Sequence, residues 1–130
     1  MLNTNVFDYI NVLDKAADAS WLRNDAIANN IANATTPNYK RQDVAFEAEL
    51  KKALGFDSSE SMDSKVAGVK TSSLQPVAYI DNAGFSYRLD GNNVDIDNEN
   101  VMLAENQLKY QGLMKGITAE FQNLQAVMKS

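Results

Sequence analysis

The sequence predicts a mainly α protein, in which long N- and C-terminal amphipathic helices pair as a coiled-coil-like hairpin around a small irregular or β-ribbon middle. Three observations predict it. Apolar residues near the N-terminus recur by alternating steps of four and three, a second helical stripe fills the C-terminal end, and a run of Asn, Thr and Pro breaks the first pattern at one place. Two helices of about 30 residues, each with an apolar seam, cannot bury those seams separately and are expected to pack against each other near-antiparallel. The expected division is 1–35 for the first helix, 36–97 for an elbow, a mobile segment and a short ribbon, and 98–130 for the last helix, together one domain.

The first helix is expected to begin near Thr4 or Asn5, either of which can cap it, and to run to about Asn33. Its seam is Val6, Ile10, Leu13, Ala17, Ser20, Asn24, Ile27, Ile31 and Ala34, weakest at Ser20 and Asn24. Phe7, Ala16, Trp21 and Ala28 lie off that seam and imply a second, partly apolar surface. Trp21 is expected to be partly buried against a neighbouring element, with contact to another subunit as the alternative.

The stretch Asn29-Asn30-Ile31-Ala32-Asn33-Ala34-Thr35-Thr36-Pro37-Asn38-Tyr39-Lys40 turns this helix into an extended segment. Asn33 tolerates the left-handed conformation that commonly closes a helix, and Pro37 forces Thr36 out of the helical region. Thr36 to Tyr39 then predicts a type II turn, with Pro37 second and Asn38 supplying the positive backbone angle at the third position.

Between Arg41 and Leu54 the pattern predicts an extended arm and then a helix from about Val44, with Glu47, Glu49, Lys51 and Lys52 on a solvated face. Gly55 to Ser73 has no steady period and few large apolar residues, so it is expected to be the mobile segment. Val77 to Ile80 and Phe85 to Leu89 have strand composition around a turn at Asp81 to Gly84, which predicts a two-stranded ribbon leaning on a helix.

The oxygen-rich run Asp90 to Asn100 does not carry calcium-loop spacing: counted from Asp90, the sixth place holds Asp95 instead of Gly, and the twelfth holds Val101 instead of Glu. It predicts a turn at Asp90 to Asn93, burial of Val94 and Ile96, and Asp97 as the cap of a final helix with Glu99 near its positive end. The packing stripe of that helix is Leu103, Tyr110, Leu113, Ile117, Phe121, Leu124 and Met128. Gly112 and Gly116 share one face, either as tolerated imperfections or as a place where another helix backbone comes close.

Composition removes several function classes. The chain of 130 residues is 45% hydrophobic with a net charge of −5, globular in character and unlike a nucleic-acid binder. It has neither Cys nor His, so disulfides, thiol chemistry and the commonest general base and metal ligand are all missing. Carboxylates such as Asp90, Asp95, Asp97 and Glu99 lack a paired base or orienter, and no enzyme, cofactor or small-molecule substrate is implied. No apolar run reaches the roughly 20 residues of a membrane span, and no signal-peptide pattern stands at the N-terminus, so physics alone predicts a cytoplasmic protein.

The elbow string resembles the N-terminal signature of bacterial flagellar axial proteins, the rod and hook family, whose pattern is roughly N-N-I-A-N-x-x-T-P-G-Y-K/R. Asn29, Asn30, Ile31, Ala32, Asn33, Thr36, Pro37, Tyr39 and Lys40 match, and Asn38 stands where the family usually has Gly. Gly91 to Asp97, leading into Leu103 to Gln111, is similar to the C-terminal signature of proximal-rod members of that family. The resemblance implies a structural subunit of the proximal rod, self-assembling through its terminal helices in the wall of a hollow axial drive shaft. It also implies exit through the flagellar export apparatus without a cleaved signal peptide, and contacts with other rod proteins and the rod-base adaptor. A helical adaptor, or a secreted export substrate outside the rod, is the alternative. On the rod reading, the stretch from Asn29 to Lys40 sets the geometry of the assembly helices.

Overall fold

The computed structural model describes residues 5–55, 61–69, 74–82 and 88–129. Helix α1 spans Asn5–Ala32 and helix α4 spans Ile96–Lys129; between them lie strand β1 (Gln42–Val44), helices α2 (Glu47–Leu54) and α3 (Met62–Ala67), and strand β2 (Ala78–Ile80).

Helices α1 and α4 form an antiparallel hairpin about 42 and 51 Å long at 1.5 Å per residue. Contacts ascend one helix as they descend the other. Leu13 lies against Gly116, where an added Cβ would come within 3.6 Å of its methyl group. The Asn106 amide donates to the Ser20 carbonyl at 2.7 Å, and Asn30 donates to Glu99 at 3.1 Å. On the predicted seam Ala17, Ser20, Ile27 and Ala34 are buried, Val6, Ile10, Leu13 and Ile31 are partly buried, and Asn24 is exposed. On α4, Leu103, Tyr110, Leu113, Ile117 and Leu124 are partly buried, while Phe121 is 49% exposed.

The opposite flank of α1 is built from small side chains, and this lets a second layer approach closely. Ala19 joins Val44, Phe46 and Leu74 in a buried cluster, with Ala16, Leu22, Leu50 and Val69 packed around it. Trp21 is 64% exposed, against the expected partial burial, and Phe7 is 48% exposed. Ala16, Ala19 and Ala26 supply the buried flank instead, so the bulky indole is left on the other flank, lining an open cavity with Gln107, Tyr110 and Gln111 of α4.

Strands β1 and β2 pair antiparallel, with Gln42 opposite Ile80, Asp43 opposite Tyr79 and Val44 opposite Ala78. Of the ribbon expected between Val77–Ile80 and Phe85–Leu89, the first segment supplies β2, which pairs with the strand after the elbow, whereas residues 83–87 lie outside the described residues and Arg88 and Leu89 sit in a bend and turn. Helix α2 begins at Glu47 rather than Val44, because Val44 is held in the ladder and Phe46 in the core. Within the expected mobile segment, Ser61 caps α3 by accepting the Ser64 N–H at 3.2 Å, and Val66 is buried. Residues 56–60 and 70–73 of that segment lie outside the described residues.

Two terminus assignments also change. Asn33 does not enter the left-handed region; it closes α1 by donating its backbone N–H and its side-chain amide to the Asn29 carbonyl, at 3.0 and 2.8 Å. Asp95, not Asp97, caps α4, accepting the Asn98 N–H at 3.2 Å. Val94 is buried as expected, but Ile96 is the first helical residue and 46% exposed.

Candidate elbow and interlock site

The elbow turn forms as its chemistry dictates. Tyr39 N–H donates to the Thr36 carbonyl at 3.3 Å, and Asn38, third in the turn, has φ of 62°, the one positive value at a non-glycine among the described residues. Thr36 Oγ1 donates to Asn33 Oδ1 at 3.1 Å, which joins the turn to the helix end.

Asn30, with no exposed surface, sets the direction of the chain beyond the turn. Its Oδ1 accepts the Gln42 N–H at 2.8 Å and the Tyr39 hydroxyl at 3.1 Å, while its Nδ2 donates to the Gln42 carbonyl at 2.8 Å and to Glu99 Oε2 at 3.1 Å. Both donors and both acceptor positions of the carboxamide are used, so one helical side chain pairs with β1 as a neighbouring strand would.

The loop before α4 closes on the elbow from the other side. Asn92, also fully buried, donates to the carbonyls of Asn33 and Thr36 at 2.8 and 2.9 Å and accepts the Val94 N–H at 2.7 Å. The Asn38 N–H donates to the Asp90 carbonyl at 2.7 Å, the Arg41 N–H to Asn93 Oδ1 at 2.7 Å, and Lys40 to the Gly91 carbonyl. Gly91 has φ of 78°, and a Cβ there would meet Asn38 Oδ1 at 2.4 Å. Arg88 donates to the Ala34 carbonyl at 2.7 Å. The two signature segments, far apart in sequence, are therefore a single hydrogen-bonded knot.

Charge locks the knot to α4. Arg41 Nε donates to Glu99 at 2.7 Å, Nη1 to Asp81 at 2.6 Å, and Nη2 lies 3.4 Å from Asp43. Burial disfavours the charge on Arg41, but its hydrogen bond and charge pairing with Glu99 outweigh that and raise its pKa. Burial, followed by the Glu99 charge, raises the pKa of the Tyr39 phenol. A second node ties α1, α2 and α4 together: Arg23 binds Glu47 with two bonds of 2.6 Å and donates to the Val44 carbonyl at 2.6 Å, and Lys109 reaches Glu47 at 2.7 Å. The hydrogen bond from Arg23 holds the Glu47 carboxyl far below its usual range against the opposing effect of burial.

The structure brings Asn29, Asn30, Asn33, Thr36, Asn38, Tyr39 and Lys40 into one network; Pro37 is exposed at its tip, Ile31 is half-buried beside it and Ala32 is exposed. Sequence reasoning missed Arg41, Glu99, Asn92, Asn93, Arg23 and Asn106. Glu99 did leave a signal, since it lies one turn before Leu103 on the packing stripe. Glu99 is 1% exposed where a solvated first-turn acid was expected. No cluster of metal-ligating residues occurs among the described residues, and no helix among them is long and apolar enough to cross a membrane.

No family model matches the chain. It is, however, similar along most of its length to curated proteins named flagellar basal body rod protein FlgB. The one from Borreliella burgdorferi is 38% identical over 122 residues, 86% of this chain and 89% of that protein. Its counterpart in Bacillus subtilis is 34% identical over 125 residues, 89% of each chain, and that in Escherichia coli 35% over 119 residues, 83% of each. Identity at this level over most of the chain means that the chain belongs to the FlgB family of flagellar basal body rod proteins.

Proposed function

We propose that the chain builds the proximal part of the rod and assembles there through its two terminal helices. It is a structural subunit of the flagellar basal-body rod and not an enzyme. One observation carries the finer reading: the knot fixes α1 and α4 as a stiff hairpin, while their outer faces leave Trp21, Phe7, Val101 and Leu108 at 64, 48, 55 and 70% exposure. Large apolar residues on a structural subunit mark surfaces that neighbours cover. Those neighbours are other rod proteins and further copies of the chain, with the rod-base adaptor below. The subunit reaches its periplasmic position through the flagellar export apparatus without a cleaved signal peptide. Nothing favours an adaptor or export substrate outside the rod.

Electron microscopy of basal bodies from a strain deleted for the chain tests this. Membrane rings lacking rod and hook, with both restored by complementation, support the proposal. Complete rods and hooks without the chain would overturn it.

A further inference from the structure

We infer that Trp21 is a lid with two stations: the outward one described above, which a neighbour covers in the rod, and an inward one in the free subunit, where the indole enters the cavity between α1 and α4 and donates to Asn106. The outward role rests on the reading of the chain as a rod subunit, whereas the inward station rests on the chain alone. The seam of α1 is weakest at Ser20 and Asn24, and there the hairpin does not close. An open cavity of about 460 Å³ lies between Ser20, Trp21 and Asn24 on one side and Asn106, Tyr110 and Gln111 on the other. A cavity of about 150 Å³ already takes a benzene ring, so this one has room for an indole.

The polar groups of the cavity call for the same occupant. Asn106 is 4% exposed; its Nδ2 is engaged by the Ser20 carbonyl, and its Oδ1 accepts no hydrogen bond from any described residue. A buried acceptor left in that state is costly, and what it lacks is a donor. The Trp21 indole carries one N–H and no acceptor, and it already forms part of the cavity wall, one residue from the Ser20 whose carbonyl Asn106 holds. No charged residue lines the cavity among the described residues, so closure buries no ion. The movement is a change of side-chain rotamer with the backbone of α1 in place. Turning inward takes a side chain that is 64% exposed out of water and fills a void, both favourable, while the outward station recovers those terms only against a neighbouring subunit. The lone subunit thus hides the indole, and a neighbour draws it out.

Trp21 is the one tryptophan of the chain, so its fluorescence reports the lid directly. Gln111 is exposed, and Gln111→Phe fills the cavity from the α4 side and holds the indole out. With the lid shut in about three quarters of free subunits, acrylamide should quench the purified full-length chain about fourfold less than the Gln111→Phe variant. Asn106→Leu, which keeps the bulk and removes the acceptor, should raise quenching as well. A parent quenched as strongly as either variant, at equal helix content by circular dichroism, would overturn the inference whatever becomes of the rod reading. Holding the indole out should also strengthen self-association about fourfold in sedimentation, because every subunit is then competent. Trp21→Ala in the Gln111→Phe background should cancel that gain. A gain that survives would belong to the added phenyl ring and would overturn the part of the lid in assembly, whereas absence of the unaltered chain from basal bodies would overturn the rod reading itself.

Discussion

Arg41 and Glu99 meet at 2.7 Å in a site where the carboxylate is 1% exposed, and this pair joins the residue that follows the elbow to the first turn of the last helix. A buried charge deprived of its partner is far costlier than a pair that never forms. Arg41→Ala is therefore expected to destabilise the fold by about 3–5 kcal/mol, whereas Arg41→Met combined with Glu99→Leu should recover only part of that, because the buried Asn30 amide then loses its Glu99 acceptor. Urea unfolding of the purified chain, followed by circular dichroism, measures both. A single variant within the experimental error of the parent would show that water reaches the site.

Asn30 is a test of hydrogen-bond direction. Asn30→Asp keeps the shape but replaces a donor with an acceptor facing the Gln42 carbonyl and Glu99 Oε2. The expected loss is about 2–4 kcal/mol at neutral pH, from unsatisfied acceptors and repulsion between carboxylates. It should shrink on acidification as a proton restores a donor. Unfolding midpoints across the acid range would show the trend.

Gly91 and Asn38 are coupled sterically. Gly91→Ala introduces a methyl group 2.4 Å from Asn38 Oδ1 at a φ of 78°, two separate faults. Asn38→Gly removes the first of them and also relaxes Asn38's own left-handed conformation, so alone it is expected to be neutral or mildly stabilising, by about 0.5 kcal/mol. In the double variant the loss from Gly91→Ala should fall by about half, leaving the backbone term. A double-mutant cycle measures this coupling; strictly additive losses would mean that the side chain swings away.

Glu47 gives the fold an acid limit. Its pKa is depressed in the folded chain by Arg23, with Lys109 helping, so the unfolded chain takes up a proton first as pH falls. Its contribution is therefore complete above the ordinary glutamate value of 4.5 and is lost as pH falls below it. Glu47→Gln should make the loss of stability between about pH 5 and pH 3 shallower, as read from urea midpoints. An unchanged slope would assign the acid sensitivity to other carboxylates.

The helices were legible because their signal is periodic and local. Val6 to Ala34 and Leu103 to Leu124 repeat at helical spacing, and Pro37 with Asn38 marks the turn through backbone sterics that need no partner. The knot was legible only as two separate strings. What Asn30 pairs with depends on where Gln42 and Glu99 arrive after folding, and a side-chain amide looks the same in the sequence whether it is solvated or buried. The pairing of β2 was lost for a similar reason. Val77 to Ile80 has strand composition, but a three-residue ladder carries too little pattern to choose between a neighbour in sequence and Gln42–Val44. Trp21 was misplaced because size argues for burial, whereas Ala19 and Ala26 allowed a closer approach on the other flank.

Leu74 makes the same point from the core. It stands in a polar stretch with no periodicity to announce it, yet is 1% exposed and packs with Ala19, Val44 and Phe46. Truncation there leaves a cavity between α1 and β1 that their backbones cannot close, so Leu74→Ala is expected to cost about 2–5 kcal/mol. Leu108→Ala removes the same atoms from a side chain 70% exposed on the outer face of α4 and should change the isolated chain by less than about 0.5 kcal/mol. Denaturant unfolding of both variants makes the comparison, and recovery in basal bodies extends it. Leu74→Ala should reduce recovery only to the extent that it unfolds the subunit, whereas Leu108→Ala, stable in isolation, should still weaken assembly if the outer face of α4 is a contact. Equal stability losses at the two sites would mean that the residues around Leu74 collapse to fill the space, and that the second layer is less firmly packed than its burial indicates.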